Sequence, residues 1–150
     1  MNEHQHETHL ATASILTEAS REKVWDALIN PDAIKQYMFG TTVTSGWREG
    51  GSISWKGEWE GKPYEDTGKV LLVEPEHALH YTHYSPLSGP DTPENHHTVK
   101  IDLTSEGKAT RINLTQDNNA TEQAKNHSEK NWNTMLEGLK RYLELGHHGR

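Results

Sequence analysis

The residue pattern at the start of the chain predicts a strand followed by a helix. Residues 9–17 are predicted as the strand. Val24, Ala27 and Leu28 then recur with helical spacing and form one apolar face. Ser20 stands just before them, and its hydroxyl is suited to accept hydrogen bonds from the free amides of a first helical turn. The first helix is therefore predicted to begin directly after Ser20.

A second short helix is predicted immediately after the first. Asn30 disfavours continuation of the first helix, and Pro31 is favourable as the first residue of a new one, with Asn30 as its cap. Ile34, Tyr37 and Met38 supply a second short apolar face. The sequence thus predicts a helix–kink–helix corner behind the N-terminal strand.

The middle of the chain is β-like. Segment 59–64 is predicted to be irregular, because Pro63 cannot donate to a central ladder. Segment 85–94 is rich in Pro and Gly and is predicted to be an exposed loop. Alternating apolar positions and turn residues predict strands at 41–45, 52–57, 67–74 and 77–84, and two more on either side of a turn at 105–108.

The last predicted element is a long amphipathic helix over residues 121–145. Either Asn119 or Thr121 is suited to cap it, and Gly146 supplies a stop. The first half of its inner face is more polar than the second half. The apolar positions with helical spacing are Trp132, Met135, Leu136, Leu139, Tyr142 and Leu143.

This order of elements predicts one α+β domain over residues 1–150, with an ordered core at about 8–145 and polar tails at both ends. We expect a helix-grip fold, in which a curved antiparallel sheet of six or seven strands wraps around the long C-terminal helix. Two short helices follow the first strand. Such a sheet can leave a cavity between itself and the helix.

Composition limits the possible functions. The formal charge of -7 disfavours nucleic-acid and anionic-membrane partners, which require a basic surface. No apolar run approaches the roughly 20 residues that span a bilayer, and the chain has no Cys for a disulfide, a thiol nucleophile or a thiolate metal site. We therefore expect a cytoplasmic protein without membrane insertion.

The apolar fraction is only 31%, with five Trp, five Tyr and one Phe. Buried Trp and Tyr need partners for their N–H and O–H groups. Two interpretations stay open: a polar-tipped cavity, or a modest core under a hydrophilic surface.

The eleven His do not converge on a predicted metal site. Strand alternation places His77 and His83 on one face and His80 on the other, so that the three cannot bind one ion. His96 and His97 are neighbours that point in opposite directions. The remaining candidates, His4, His6, His9, His147 and His148, lie in polar terminal segments. No metal and no cofactor is predicted.

His83 is the most informative of these residues because it shares a predicted face with Leu79 and Tyr81. In a cavity, it would exchange hydrogen bonds with a ligand or act in acid–base chemistry near neutral pH. The alternative is a core His whose partner is a neighbour such as Gln116. The acidic residues nearby are predicted to form a solvated hairpin; they are Glu58, Glu60, Glu65 and Asp66.

Motifs for nucleophilic hydrolysis and phosphate binding are absent from the sequence. There is no Gly-x-Ser-x-Gly elbow, and Gly50-Gly51 lies in a turn between strands rather than before a helix. The sequence therefore predicts no catalytic residues.

The ordered set of segments resembles the START-like (SRPBCC) superfamily. Residues 17–28 and 31–37 resemble its opening, residues 68–75 and 79–83 its central strands, and residues 131–143 its closing helix. The overall pattern is most similar to the branch called activator-of-heat-shock-protein-ATPase homologues.

The resemblance covers about residues 8–145 and implies the helix-grip fold with a ligand cavity. Two positions differ from the family pattern. Tyr37-Met38 stands where an aromatic pair commonly closes the second short helix, and Asn131 where Gly commonly precedes the helix Trp. Both are expected near the cavity opening, where they would affect which ligand binds.

We expect a non-catalytic domain that binds a small hydrophobic or amphipathic molecule, such as a lipid or a polyketide-like aromatic compound. The alternatives are a stress-related, co-chaperone-like interaction domain with a chaperone partner, and a cyclase- or hydrolase-like enzyme that uses His83 and Tyr81. Strand and helix parity predicts a lining of Tyr37, Met38, Trp55, Tyr64, Tyr81, His83, Gln116, Trp132 and Met135.

Overall fold

The computed structural model describes residues 9–146, and begins with the predicted strand and helical corner. Residues 1–8 and 147–150, which include most of the predicted polar tails, lie outside this range. Strand β1 spans His9–Thr17, helix α1 Arg21–Ile29 and helix α2 Pro31–Tyr37. The Ser20 hydroxyl accepts from the Lys23 amide, and the Asn30 side chain from the Asp32 amide.

The kink between α1 and α2 leaves a carbonyl that needs a donor. The carbonyl of Ala27 would be bonded to the amide of residue 31 in a continuous helix, but Pro31 has no N–H. The Tyr37 hydroxyl, fully inside the core, donates to this carbonyl at 2.8 Å. Tyr37 therefore fixes the angle between the two helices.

The remaining strands form one antiparallel sheet with the predicted number of members. Its seven strands follow the order β1-β7-β6-β5-β4-β3-β2, so that the first and second strands lie at the two edges. The sheet is open and curved, and this confirms the predicted helix-grip fold. The strands after β1 are β2 Thr42–Ser45, β3 Ser52–Trp59, β4 Lys62–Glu74, β5 Ala78–Tyr84, β6 His96–Glu106 and β7 Ala109–Asn119.

Segment 59–64, predicted to be irregular, is instead the tip of a regular hairpin between β3 and β4. Glu60 and Gly61 form a two-residue turn, with φ of 53° and 82°. Pro63 is paired with Glu58, the second pair from this turn. Because such a pair directs its N–H groups away from the partner strand, Pro63 costs the β3–β4 ladder no bond. The first residue of β4 paired with β5 is Thr67, so Pro63 lies beyond that ladder too.

Loop 85–94 contains two short 3₁₀ turns, Pro86–Ser88 and Pro93–Asn95. It is anchored to the sheet by the Tyr84 hydroxyl, which donates to the carbonyl of Gly89 at 2.6 Å.

The long helix α3 spans Glu122–Arg141 and continues into a π-helical turn, Tyr142–Gly146. Thr121 is its cap, because its hydroxyl accepts from the Ala124 amide at 3.0 Å. The alternative cap, Asn119, was wrong: its buried side chain donates to the carbonyls of His9 and Gln116 instead. Asn119 thus joins β1 to β7.

The core lies between the concave face of the sheet and the three helices. No helix within residues 9–146 combines the length and hydrophobicity that crossing a bilayer requires. The largest fully buried side chains are Ile53, Leu79, Ile112, Leu114, Leu136, Leu139 and Leu143.

Candidate functional site

Two adjoining cavities lie between the sheet, α2 and α3. The inner cavity measures about 30 Å³ and the outer about 200 Å³. Four side chains line both and form the partition between them: Met38, Trp55, Tyr81 and Trp132. The space between helix and sheet is therefore nearly filled at its inner end and open at its outer end.

Each of the nine residues predicted from the sequence lines one or both cavities. Tyr37 and Met135 line only the inner one. Tyr64, His83 and Gln116 line only the outer one. The residues that the prediction lacked are Thr41, Asp66 and His97 in the outer cavity and Leu28, Ile34, Trp47, Ile53, Leu79 and Ile101 in the inner cavity.

Five successive strands, β3 to β7, contribute residues to the outer cavity. Trp55 and Asp66 are directly paired across β3 and β4, as are His83 and His97 across β5 and β6. Gln116 continues the series on β7. The cavity thus has a polar floor, whereas the inner one is almost entirely apolar.

The partner of His83 is Asp66, not Gln116. The His83 Nε2 lies 2.9 Å from Asp66 Oδ2. Because a carboxylate can only accept, Nε2 carries a proton in this pair. The predicted solvated hairpin is therefore wrong for Asp66, whose side chain is only 16% exposed.

The second carboxylate oxygen of Asp66 has no partner. Asp66 Oδ1 is buried, and no donor within the described part of the chain reaches it. A buried polar atom without a hydrogen bond is rare in native structures. Among the buried side-chain oxygen and nitrogen atoms of residues 9–146, it is the one in this condition.

Gln116 connects the sheet to α3. Its Oε1 accepts from the Trp132 indole N–H at 2.6 Å, and its Nε2 donates to Asn119 Oδ1 at 3.2 Å. Ser128 Oγ donates to the same Asn119 oxygen at 2.9 Å. These polar partners explain why the first half of the inner face of α3 is less apolar.

Two of the buried tyrosines, Tyr37 and Tyr81, differ in the surroundings of their hydroxyl groups. The Tyr37 hydroxyl is used by the Ala27 carbonyl and does not serve a ligand. The Tyr81 side chain, in contrast, lines both cavities. Burial raises the pKa of both Tyr37 and Tyr81 far above its usual value, so that both stay protonated at neutral pH. Tyr81 therefore offers a hydrogen-bond donor and not a base.

The Tyr64 ring packs over Gly57, its partner on β3. A Cβ on Gly57 would lie 2.7 Å from the Tyr64 hydroxyl oxygen, so only Gly leaves room for the ring at this cross-strand position. The Tyr64 hydroxyl forms a 2.7 Å hydrogen bond with Thr41 Oγ1. Gly57 and Thr41 thus set the side wall of the outer cavity.

His77 and His80 do not line the outer cavity. His77 lies in a turn before β5, within 3.1 Å of the Arg21 guanidinium. His80 pairs with Asp102 on the outer face of the sheet at 2.9 Å. Within residues 9–146, no cluster of three or more His, Asp or Glu side chains is arranged to hold a metal ion. His4, His6, His147 and His148 lie outside the described residues.

Asp66 and His97 were missed because their sequence context is misleading. Asp66 follows Glu65 in an acidic segment, and only the register of β3 and β4 shows that it faces inward with Trp55. For His97, the signal available in the sequence was its alternation with Val99 and Ile101, both buried.

A larger groove, of about 690 Å³, lies on the surface beside α1. It is open to solvent, and Glu22, Lys23, Asp26 and Glu76 are among its lining residues. The smaller outer cavity is the better candidate, because aromatic side chains and a few polar groups converge in it, as they usually do in ligand sites.

Comparison with known proteins identifies the family. The sequence profile of the family described as Activator of Hsp90 ATPase homolog 1-like protein matches residues 18–144. No curated protein matches the chain by sequence.

Solved structures give the same fold. The solution structure of ChR145 from Cytophaga hutchinsonii is 55% identical, covers 92% of this chain and 95% of its own, and has a TM-score of 0.82. DynU16, a protein of the dynemicin biosynthetic locus, is 20% identical over 91% of this chain and 48% of its own, with a TM-score of 0.77. The Aha1 dimer from Colwellia psychrerythraea is 22% identical over 93% of this chain and 98% of its own, with a TM-score of 0.73.

The profile covers most of the chain, and the predicted resemblance to the SRPBCC type of fold is confirmed. The chain belongs to the Activator of Hsp90 ATPase homolog 1-like family.

Proposed function

We propose that the protein binds a small amphipathic aromatic molecule in the outer cavity. The observation that carries this proposal is the combination of aromatic walls and a polar floor in one cavity. The walls are formed by Trp55, Tyr64, Tyr81 and Trp132. The floor is formed by the polar residues Asp66, His83, His97 and Gln116. Ligand sites typically combine an apolar lining with a few placed polar groups.

The volume favours a compact ligand. A cavity of about 150 Å³ accommodates benzene, so the outer cavity of about 200 Å³ suits a molecule of one or two rings. A long acyl chain would need the inner space, and the 30 Å³ left there is too little for it. Of the two ligand classes expected from the sequence, the aromatic one is therefore favoured over the lipid. A relative of the same fold is encoded in a biosynthetic locus, which agrees with a small-molecule ligand.

The test is a ¹⁵N-edited NMR titration with toluene and naphthalene. We expect saturable shifts at the Trp132 indole N–H and at amides of β3 to β7 around the outer cavity. The variant Thr41→Phe, which places a ring in this cavity, should abolish these shifts. Its matched control is Thr42→Phe, one residue further on, where the side chain is exposed.

Two results would reject the proposal. One is the absence of saturable shifts with both compounds. The other is a set of shifts centred on the groove beside α1, near Glu22 and Tyr142, which is lined by a different set of residues.

A second candidate function is interaction with a chaperone of the Hsp90 type, and one exposed residue favours it. Phe39 is 77% exposed and has a φ of 58°, a conformation that is unfavourable for a bulky residue. It borders a surface groove together with Leu145, which is 68% exposed. Exposed apolar side chains next to each other are typical of interaction surfaces.

Stimulation of the ATPase of a purified Hsp90 chaperone would support this second function. The variant Phe39→Ser should then remove the stimulation, while Leu87→Ser, at an equally exposed loop residue, should keep it. A chaperone ATPase rate that does not change with the wild-type protein would exclude this candidate.

A further inference from the structure

The polar floor of the outer cavity points to one chemical feature of its ligand. We propose that the ligand carries a protonated amine, which donates a hydrogen bond to Asp66 Oδ1. This inference rests on the proposed binding function and adds the ligand class to it.

The first support is the unpaired oxygen. Asp66 Oδ2 is already bonded to His83 Nε2 at 2.9 Å, whereas Oδ1 is buried without a donor from residues 9–146. A carboxylate oxygen can only accept, so the missing partner must be a donor. Asp66 lines the outer cavity. A turn of its carboxylate, whose Oδ1 is closed to a water-sized atom in this structure, would present that oxygen to a donor on a ligand held there.

The second support is the charge of the lining. Asp66 is the only carboxylate among the side chains that line the outer cavity, and there is no Lys or Arg among them. A ligand carboxylate or phosphate would meet Asp66 without a Lys or Arg to compensate it. An ammonium group would instead form a charge-assisted hydrogen bond, which is about twice as strong as a neutral one.

The third support is the aromatic wall. Trp55 and Tyr81 lie 5.3 Å apart between ring centroids, and Tyr64 and Trp132 line the same space. Aromatic rings around a cation stabilise it through their electron-rich faces, and cages of such rings bind ammonium ligands. The net charge of -7 also raises the local concentration of cations around the protein.

An alcohol satisfies only the first of these three conditions. A hydroxyl can donate to Asp66 Oδ1, but it gains neither from the negative charge nor from the aromatic walls to the same extent. An acid satisfies none of them. The expected order of affinity for ligands of equal size is therefore amine, alcohol, hydrocarbon and acid.

The experiment compares four single-ring probes at pH 7: benzylamine, benzyl alcohol, toluene and benzoate. An alkyl amine is protonated at this pH, since its pKa is near that of Lys, about 10. Dissociation constants are measured by NMR titration. We expect benzylamine to bind about tenfold or more tightly than toluene, and benzoate to bind most weakly.

Two isosteric variants locate the effect. Asp66→Asn should weaken benzylamine by about tenfold or more and leave toluene within about twofold of the wild type. Asp102→Asn is the matched control, because Asp102 forms the same 2.9 Å bond with a His on the outer face of the sheet. It should leave all four affinities unchanged.

The outcomes separate the two proposals. If toluene binds in the cavity but benzylamine binds no better, the amine proposal is overturned and the binding function stands. Equal weakening of all four probes by Asp66→Asn would also overturn it, since the carboxylate would then act only on the fold. If no probe binds, both proposals fail. The ranking in the wild type decides the question even if Asp66→Asn does not fold.

Discussion

The indole N–H of Trp132 on α3 donates to Gln116 Oε1 on β7 at 2.6 Å, and both side chains are only half-buried. This bond joins the long helix to the sheet at the level of the outer cavity. It also fixes the orientation of Trp132, which belongs to the partition between the two cavities.

The first prediction is a coupling between these two residues. Trp132→Phe and Gln116→Leu should each lower the free energy of unfolding by about 1–3 kcal/mol, because each leaves the other polar group unpaired. The double variant should lose less than the sum, by about 0.5–1.5 kcal/mol. Urea denaturation of the four proteins measures this. Strict additivity would show that the bond contributes nothing specific.

The second prediction concerns the helical corner. Tyr37→Phe removes the donor to the Ala27 carbonyl, and Pro31 cannot replace it. We expect a loss of about 1–3 kcal/mol in the free energy of unfolding, since a buried carbonyl is left unpaired. Tyr142→Phe is a suitable control, because its ring packs against Tyr37 at 6.3 Å but its half-buried side chain is not the donor to this carbonyl. A loss of equal size in both variants would contradict the proposed role of the hydroxyl.

The third prediction is a loss of stability in alkaline solution. Burial raises the pKa of Tyr37 and Tyr81 in the folded protein, while the unfolded chain titrates near the ordinary value of about 10. The folded state thus keeps two protons that the unfolded state releases. The free energy of unfolding is therefore unaffected by these groups below about pH 10, and falls above it by about 2.7 kcal/mol per pH unit.

The contribution of each tyrosine can be separated. In Tyr81→Phe, the slope that these two groups cause above about pH 10 should fall to about half. Chemical denaturation at pH 9, 10, 10.5 and 11 gives the slopes for both proteins. An identical slope in Tyr81→Phe and in the wild type would mean that Tyr81 ionises as easily in the folded protein as in the unfolded chain.

The fourth prediction follows from the hairpin turn between β3 and β4. Glu60 has a φ of 53° and precedes Gly61 in a turn for which Asn-Gly is the preferred sequence. Glu60→Asn should raise the free energy of unfolding by about 0.5–1 kcal/mol, because Asn adopts this conformation at lower cost. Glu65→Asn in the neighbouring strand serves as the control and should give no gain. Thermal denaturation of both variants checks this.

The β3–β4 turn is also an example of a feature that could not be predicted from the sequence. The corner from Ser20 to Tyr37 and the helix from Thr121 were predictable, because caps, Pro31 and helical spacing act locally. The β3–β4 hairpin was not, because Glu-Gly is an unusual type of turn sequence and Pro63 is tolerated only at its particular place in the register.

The candidate site, too, was predictable from the sequence only in part. Parity predicted inward-facing positions such as Tyr81 and His83, which must share a face once the strand is recognised. The partner of His83 depended on which residue of β4 lies beside β5, a relationship between distant segments that one sequence does not contain. Asp66, on which the ligand proposal rests, was for this reason assigned to the surface.

The last prediction concerns the partition between the two cavities. Met38 lines both of them and is half-buried, so Met38→Ala should join the inner and outer spaces at a cost of about 1–2 kcal/mol in stability. The enlarged cavity should bind naphthalene more tightly relative to toluene than the wild type does. Met135→Ala is the control, because Met135 lines only the inner cavity and lies behind the partition. NMR titrations of the three proteins with both hydrocarbons give the ratio of affinities, and the same increase in both variants would show that Met38 does not separate the two spaces.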